Sequence, residues 1–129
     1  MGRGYTFCCD ECGYSLEYLE GIGFMYYREA EEILSDIKAG KYGNDFMRAA
    51  NDAKKPIVNH SRELYKCVKC GELQPDMEIE LCDGENVLIR KQHACNKCNG
   101  EMFVVNSIEN IICPKCGAPL VITGILMWD

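Results

Sequence analysis

Between Arg28 and Ala39 the apolar residues fall at helical spacing. Ala30, Ile33, Leu34 and Ile37 stand at i, i+3, i+4 and i+7 and form one apolar stripe. Glutamates crowd the first turn, Lys38 sits in the last, and Gly40 supplies a stop, all in keeping with the helix dipole and its C-terminal cap. A shorter helix is predicted from Asn44 or Asp45 toward Lys54, carrying Phe46, Met47, Ala49 and Ala50, with Pro56 ending the helical stretch.

Elsewhere the period is two. Tyr5-Thr6-Phe7, Tyr14–Tyr18 and Leu64-Tyr65-Lys66 read as short strands. Glu78–Cys82 and Val87–Gln92 flank Asp83-Gly84-Glu85-Asn86 as a hairpin. Met102–Val105 and Ile108–Ile112 are expected to pair across Asn106-Ser107. Leu120–Thr123 forms a closing strand, and Ile125-Leu126-Met127-Trp128 an apolar tail expected to cap its own core. Gly21-Ile22-Gly23-Phe24-Met25 lacks the third glycine and the lysine of a phosphate loop, so it reads as a bend feeding Ile22, Phe24 and Met25 into a core. The class is small α+β.

Cysteine changes this picture. Eight of the ten cysteines form four Cys-x-x-Cys pairs: Cys9–Cys12, Cys67–Cys70, Cys95–Cys98 and Cys113–Cys116. Gly13, Gly71 and Gly117 directly follow three pairs, and Gly100 follows the third after Asn99. Two thiolates at this spacing clasp one metal, and the next residue must turn sharply, which glycine does at little steric cost. Eight thiolates make two four-cysteine sites, expected to hold two zinc ions.

Spacing favours sequential pairing. Cys95/Cys98 with Cys113/Cys116 encloses only 14 residues and a hairpin, and Cys9/Cys12 with Cys67/Cys70 then closes over 54. Loop-closure cost grows only logarithmically, so the long loop is tolerable. The resulting expectation is two zinc ribbons built of antiparallel hairpins, the first split by a helical insert at about 28–55. The domains would be 1–75 and 76–129. Nested pairing and an interleaved cross-brace are the alternatives; proteins resembling RING domains have a histidine among their central ligands and closer central pairs. Cys8 could stand in for Cys9, Cys82 reads as a small buried hydrophobe, and His93 as a spare ligand or a support for one. His60 carries no signal.

Units of ~40–60 residues bury too little apolar surface to fold unaided, so metals are the expected supplement. A structural zinc contributes roughly 10–16 kcal/mol, against ~5–15 kcal/mol for a whole small domain. The N-terminus shows no apolar leader, no run approaches a membrane span, and Cys-x-x-Cys in a reducing compartment reads as metal-binding. The expectation is a cytoplasmic protein without a membrane segment. Met1–Thr6 fits the loose N-myristoylation pattern, but Tyr5-Thr6-Phe7 reads better as a strand.

The net charge of −6 is spread evenly, with seven basic and ten acidic residues in both 1–60 and 61–129. Neither half is a basic module, which favours a protein partner over a nucleic acid. A local patch of Lys69, Lys97 and Lys115, one inside each of three knuckles, keeps nucleic-acid binding as an alternative. Sites with four thiolates leave no open position for water, and neither a HExxH helix nor a zinc-deaminase pattern occurs, so no enzyme activity is expected.

The chain resembles small bacterial zinc-ribbon proteins, through its C-x-x-C-G-Y, its Gly21–Met25 segment, its helical stretch and its C-x-x-C…C-P-K-C-G ribbon. That resemblance implies a ribbon fold and leaves function open, since ribbons serve many roles. Cys9-Asp10-Glu11-Cys12-Gly13-Tyr14 and Cys113-Pro114-Lys115-Cys116-Gly117-Ala118 each also resemble half of a rubredoxin site, which implies iron and one-electron transfer. The 100 residues between those halves set this behind zinc. The leading expectation is a non-catalytic adapter with two structural zincs, with Ile22, Phe24, Met25 and Trp128 as contact residues.

Overall fold

The computed structural model describes residues 2–21, 26–106 and 108–128, and only the backbone of Tyr26, Ile108 and Trp128. The expected bend residues Ile22, Phe24 and Met25, Ser107 of the expected turn, and the side chain of Trp128 therefore lie outside the described parts.

Alternation builds the N-terminal strands. In β1 (Gly2–Cys8), Tyr5 and Phe7 are buried while Arg3 is exposed, and β2 (Ser15–Gly21) buries Tyr18. β1 and β2 pair antiparallel from Gly2↔Gly21 to Cys8↔Ser15, so the first knuckle is the turn of their hairpin. Of the apolar tail, Ile125, Leu126 and Met127 are exposed rather than folded back on a core. The tail is the far half of β7 (Val121–Trp128), which lies antiparallel on β1 from Gly2↔Trp128 to Cys8↔Val121, with a bulge at Thr123.

Helix α1 (Tyr26–Lys38) buries Ile33 and Ile37, with Ala30 and Leu34 packed alongside, as the stripe requires. Gly40 closes it at φ +88°, its N–H donating to the Ile37 carbonyl. Helix α2 (Asn44–Asp52) turns Phe46 and Ala50 inward. Pro56 does more than end the helices. It opens β3 (Pro56–Cys67), a strand of 12 residues of which only Leu64–Lys66 was expected. β4 (Leu73–Asp83) and β5 (Asn86–Arg90) form the predicted hairpin, closing at Asp83↔Asn86.

β6 (Met102–Val104) departs from expectation. It pairs with β3, Tyr65↔Val104 through Cys67↔Met102, and Ile108–Asn110 forms a single 3₁₀ turn rather than a partner strand. Pairing on β3 buries Met102 among Tyr65, Cys67 and Cys95, which a local hairpin would not offer.

The chain divides into two compact units, but not at residue 75. One comprises 1–21, 62–76 and 93–129; the other comprises 22–61 and 77–92. The expected boundary fails because β3 and β4 each run from one unit into the other, and because the first and last strands pair. The first unit has strand order β3-β2-β1-β7 with β6 on β3, and its larger core holds Tyr5, Phe7, Tyr18, Leu64, Leu73, Ile111 and Leu120. The second unit packs Ile33, Ile37, Phe46 and Ala50 on Val58, Ile79 and Leu81. No helix among the described residues is long and apolar enough to cross a membrane.

Candidate metal centres

Each Cys-x-x-Cys pair occupies a six-residue turn of one design. The N–H of the first cysteine donates to the carbonyl five residues on: Cys9 to Tyr14, Cys67 to Glu72, Cys95 to Gly100, Cys113 to Ala118, at 2.7–2.9 Å. Its own carbonyl accepts from the residue after the second cysteine, Gly13, Gly71, Asn99 and Gly117, at 2.8–3.1 Å. That residue takes a left-handed conformation in all four, at φ +78°, +78°, +60° and +80°. In the third knuckle Asn99 therefore makes the turn that spacing suggested for Gly100, asparagine being the residue that best tolerates this region after glycine.

Gly100 has another task. A Cβ there would lie 3.0 Å from Cys67 Sγ and 3.2 Å from Cys98 Sγ. The absence of a side chain makes room for the sulfurs.

The sulfurs gather in two groups. Cys9, Cys12, Cys113 and Cys116 form one, and Cys67, Cys70, Cys95 and Cys98 the other, with all four Sγ of each within 4.8 Å of one another. In the first, Cys9 and Cys116 lie 3.4 Å apart and Cys12 and Cys113 3.6 Å. In the second, Cys67–Cys98 is 3.4 Å and Cys70–Cys95 3.6 Å. A tetrahedron of thiolates about 2.3 Å from a central metal has edges of about 3.8 Å, so both groups fit one tetrahedral ion each. No disulfide links any of the ten cysteines.

The pairing is nested, correcting the sequential expectation. Its cause is strand pairing. β1 against β7 carries the first and fourth knuckles to the same end of the sheet, and β6 against β3 does so for the second and third. Enclosing 100 residues rather than 54 adds only about 0.5 kcal/mol of closure entropy, too little to resist that pairing. The C-terminal stretch is therefore not a self-contained ribbon, and all eight cysteines of the two groups belong to the first unit.

The knuckles also set thiol acidity. N–H groups of Cys70 and Lys69 point at Cys67 Sγ (3.5 and 3.4 Å) and hold its pKa down at about 6. For Cys113, burial opposes ionisation, but the N–H groups of Cys116 and Lys115 outweigh it and bring the value to about 7. Cys70 and Cys116 each gain an N–H donor, from Glu72 and Ala118, yet burial and the neighbouring sulfurs push both up to about 12. Without a cation, one thiol ionises at the expense of the next. A divalent ion removes that conflict by favouring all four thiolates together.

Sequence reasoning missed two supports of the third knuckle, Gln74 and Asp76. Gln74 on β4 donates to the Ala94 carbonyl (3.4 Å) and accepts from the Asn96 N–H (3.1 Å). Two residues on, Asp76 meets His93 Nδ1 at 3.0 Å, and the His93 ring stacks on Tyr65 with centroids 3.9 Å apart. His93 is thus a buried support and not a member of either four-sulfur group. The available signal was period two from the end of the second knuckle, which puts Gln74 and Asp76 on one face of β4.

Cys8 points to Thr123 (Sγ–Oγ1 3.6 Å), and Cys9 is the one that joins the four-sulfur group. Cys82 is buried on β4 with its pKa raised, mainly by desolvation. Lys69 and Lys97 sit in the knuckles of the second centre and Lys115 in the first, where its Nζ lies 5.8 Å from the Tyr14 ring centroid. No protein-family model matches the chain, and no curated protein or solved structure matches it either.

Proposed function

We propose that this chain is a non-catalytic binding module whose first unit is built on two structural zinc ions, one in each four-cysteine centre, as in a pair of nested zinc ribbons. The observation that carries this reading is the completeness of both tetrahedra. Four sulfurs from two knuckles fill each, so no position is left for a water or a substrate. The matching backbone bonds of all four knuckles support a role in building the fold. A protein partner suits the acidic, evenly charged surface better than a nucleic acid does. Metal analysis of the purified protein tests the scaffold: two equivalents of zinc per chain in a colourless sample are expected, and Cys→Ser at Cys67 or Cys113 should lower the count to one. Zinc well below two equivalents, with no other metal, would remove the reading.

A second reading concerns the first centre alone. Nested pairing unites Cys9-Asp10-Glu11-Cys12-Gly13-Tyr14 with Cys113-Pro114-Lys115-Cys116-Gly117-Ala118, the two segments that resemble the halves of a rubredoxin site. Tyr5, Phe7 and Tyr18 share a core cluster with Cys9 and Cys113, and Tyr14 packs against it, giving that centre an aromatic surround. Iron there would make this centre a one-electron carrier while zinc keeps the second. Thiolate-to-iron absorption in the visible, lost in Cys113→Ser but kept in Cys67→Ser, is its signature.

A further inference from the structure

The outer edge of β7 is open. In the strand order β7 is terminal, with β1 on one side and no described strand on the other. Val121–Trp128 contains neither a charge nor a proline. Val121, Ile125, Leu126 and Met127 are 43%, 65%, 54% and 59% exposed. Register places Ile125 beside Tyr5 on one face and Leu126 beside Gly4 on the other, so the open apolar surface wraps both faces. Edge strands of monomeric proteins are normally blunted by charges, proline or a covering segment, and this one has none among the described residues.

We propose that this edge pairs with β7 of a second copy of the chain, antiparallel about a two-fold axis, extending the sheet through both copies. Charge selects this occupant. The chain carries −6, so most of its surface repels a copy of itself, whereas an uncharged strand meets only uncharged residues when paired with itself. A partner strand selected by charge would find none to pair with along Val121–Trp128. With the two-fold axis near Ile125, antiparallel self-pairing sets Ile125 beside its own counterpart and its neighbours on either side beside different uncharged residues of the same strand. Such an interface is isologous and closes at two. Leu126 is already held in place, lying over Gly4 so closely that a Cβ there would meet its Cγ at 2.9 Å. The inference rests on reading the chain as a binding module and names its partner; it does not depend on which metal the centres hold.

Sedimentation velocity on the metal-loaded full chain, from about 1 to 100 μM, tests it. A monomer–dimer equilibrium is expected, weakened about tenfold or more by Ile125→Lys or Met127→Lys, since each puts two like charges at one seam. Leu126 is left alone because it packs on Gly4. Metal content and far-UV circular dichroism of each variant show that the fold is intact, so a failed dimer and a failed metal scaffold remain distinguishable. A wild-type monomer throughout the range overturns the proposal. So does a dimer that both folded lysine variants retain, or an open-ended assembly. Hydrogen exchange supplies an independent reading: alternate β7 amides should gain protection as the concentration rises, and uniform exchange along β7 in a proven dimer also overturns it.

Discussion

A Cβ on Gly100 would lie 3.0 Å from the sulfur of Cys67, a residue of the opposite knuckle. Gly71, by contrast, has nothing within 4 Å of its virtual Cβ and is constrained only by its φ of +78°. The two glycines therefore predict different failures. Gly100→Ala must displace Cys67 Sγ, Cys98 Sγ or the Lys69 side chain, and we expect it to weaken metal binding at the second centre by about 10- to 100-fold. Gly71→Ala should cost about 1–2 kcal/mol of backbone strain, most of it recovered in Gly71→Asn, because Asn99 already holds the same conformation in the third knuckle. Competition with a chromophoric chelator measures both. Equal behaviour of the two alanine variants would show that contact with the sulfurs is irrelevant.

Gln74 should matter to one centre only. Its amide bridges Ala94 and Asn96 on either side of Cys95. Gln74→Ala removes two partly exposed hydrogen bonds, worth about 0.5–1 kcal/mol each at the low end of the range, and frees the third knuckle to move. We expect metal to leave the second centre about tenfold more readily while the first is unchanged. His93→Ala should destabilise the same region without altering the count of two metals per chain. A count of one would make His93 a ligand after all.

What was legible in the sequence follows the range of the interaction. The knuckles, α1 and the Asp83–Asn86 hairpin were readable because neighbouring residues decide them. The nested pairing was not, because it depends on β1 meeting β7, and nothing in Gly2–Cys8 names Val121–Trp128 as its neighbour. Ile108–Ile112 is apolar enough for a strand, yet among its described side chains only Ile111 is buried, and the backbone turns through Ile108–Asn110 just before it. Pro56 ended the helical stretch in the sequence but gave no hint of the long strand it begins. Asn99 and Gly100 exchanged their expected roles because one obeys local backbone sterics and the other a sulfur from across the site.

The β4–β5 hairpin carries a pH-dependent contribution. Arg90 Nε donates to Glu80 Oε2 at 2.8 Å, and this bond, helped by Asn59, holds the Glu80 carboxyl below its ordinary pKa. The unfolded chain therefore takes up this proton first as the pH falls. The stabilisation is fully present above the ordinary carboxylate value of about 4.3 and is lost as the pH drops through the depressed folded value. Arg90 is 62% exposed, so solvent screens the pair and its contribution is small. Urea unfolding of wild type and Arg90→Met should differ by the same amount at neutral and mildly acidic pH, and the gap should close in stronger acid. A gap that widens with acid would contradict the assignment.

Metal removal should divide the chain along its two units. Every cysteine of the two four-sulfur groups lies in residues 1–21, 62–76 and 93–129, while 22–61 and 77–92 hold none of them and have a core of their own. In the first unit the core residues Tyr5, Phe7 and Leu64 sit on strands that the knuckles tie together. Without metal, four cysteine pairs of unequal acidity replace two closed tetrahedra, and roughly 10–16 kcal/mol per site is withdrawn. The second unit loses no ligand, but at this size it is only marginally stable without support. Chelation at low temperature should therefore abolish amide protection at Tyr5, Phe7 and Leu64 first, leaving partial protection at Ile37, Phe46 and Leu81 and most of the helical circular dichroism. Heating should then melt the remainder at a lower temperature than the metal-loaded protein. Simultaneous loss of both sets of protected amides would mean that the strands shared by the units, β3 and β4, couple them into one cooperative transition.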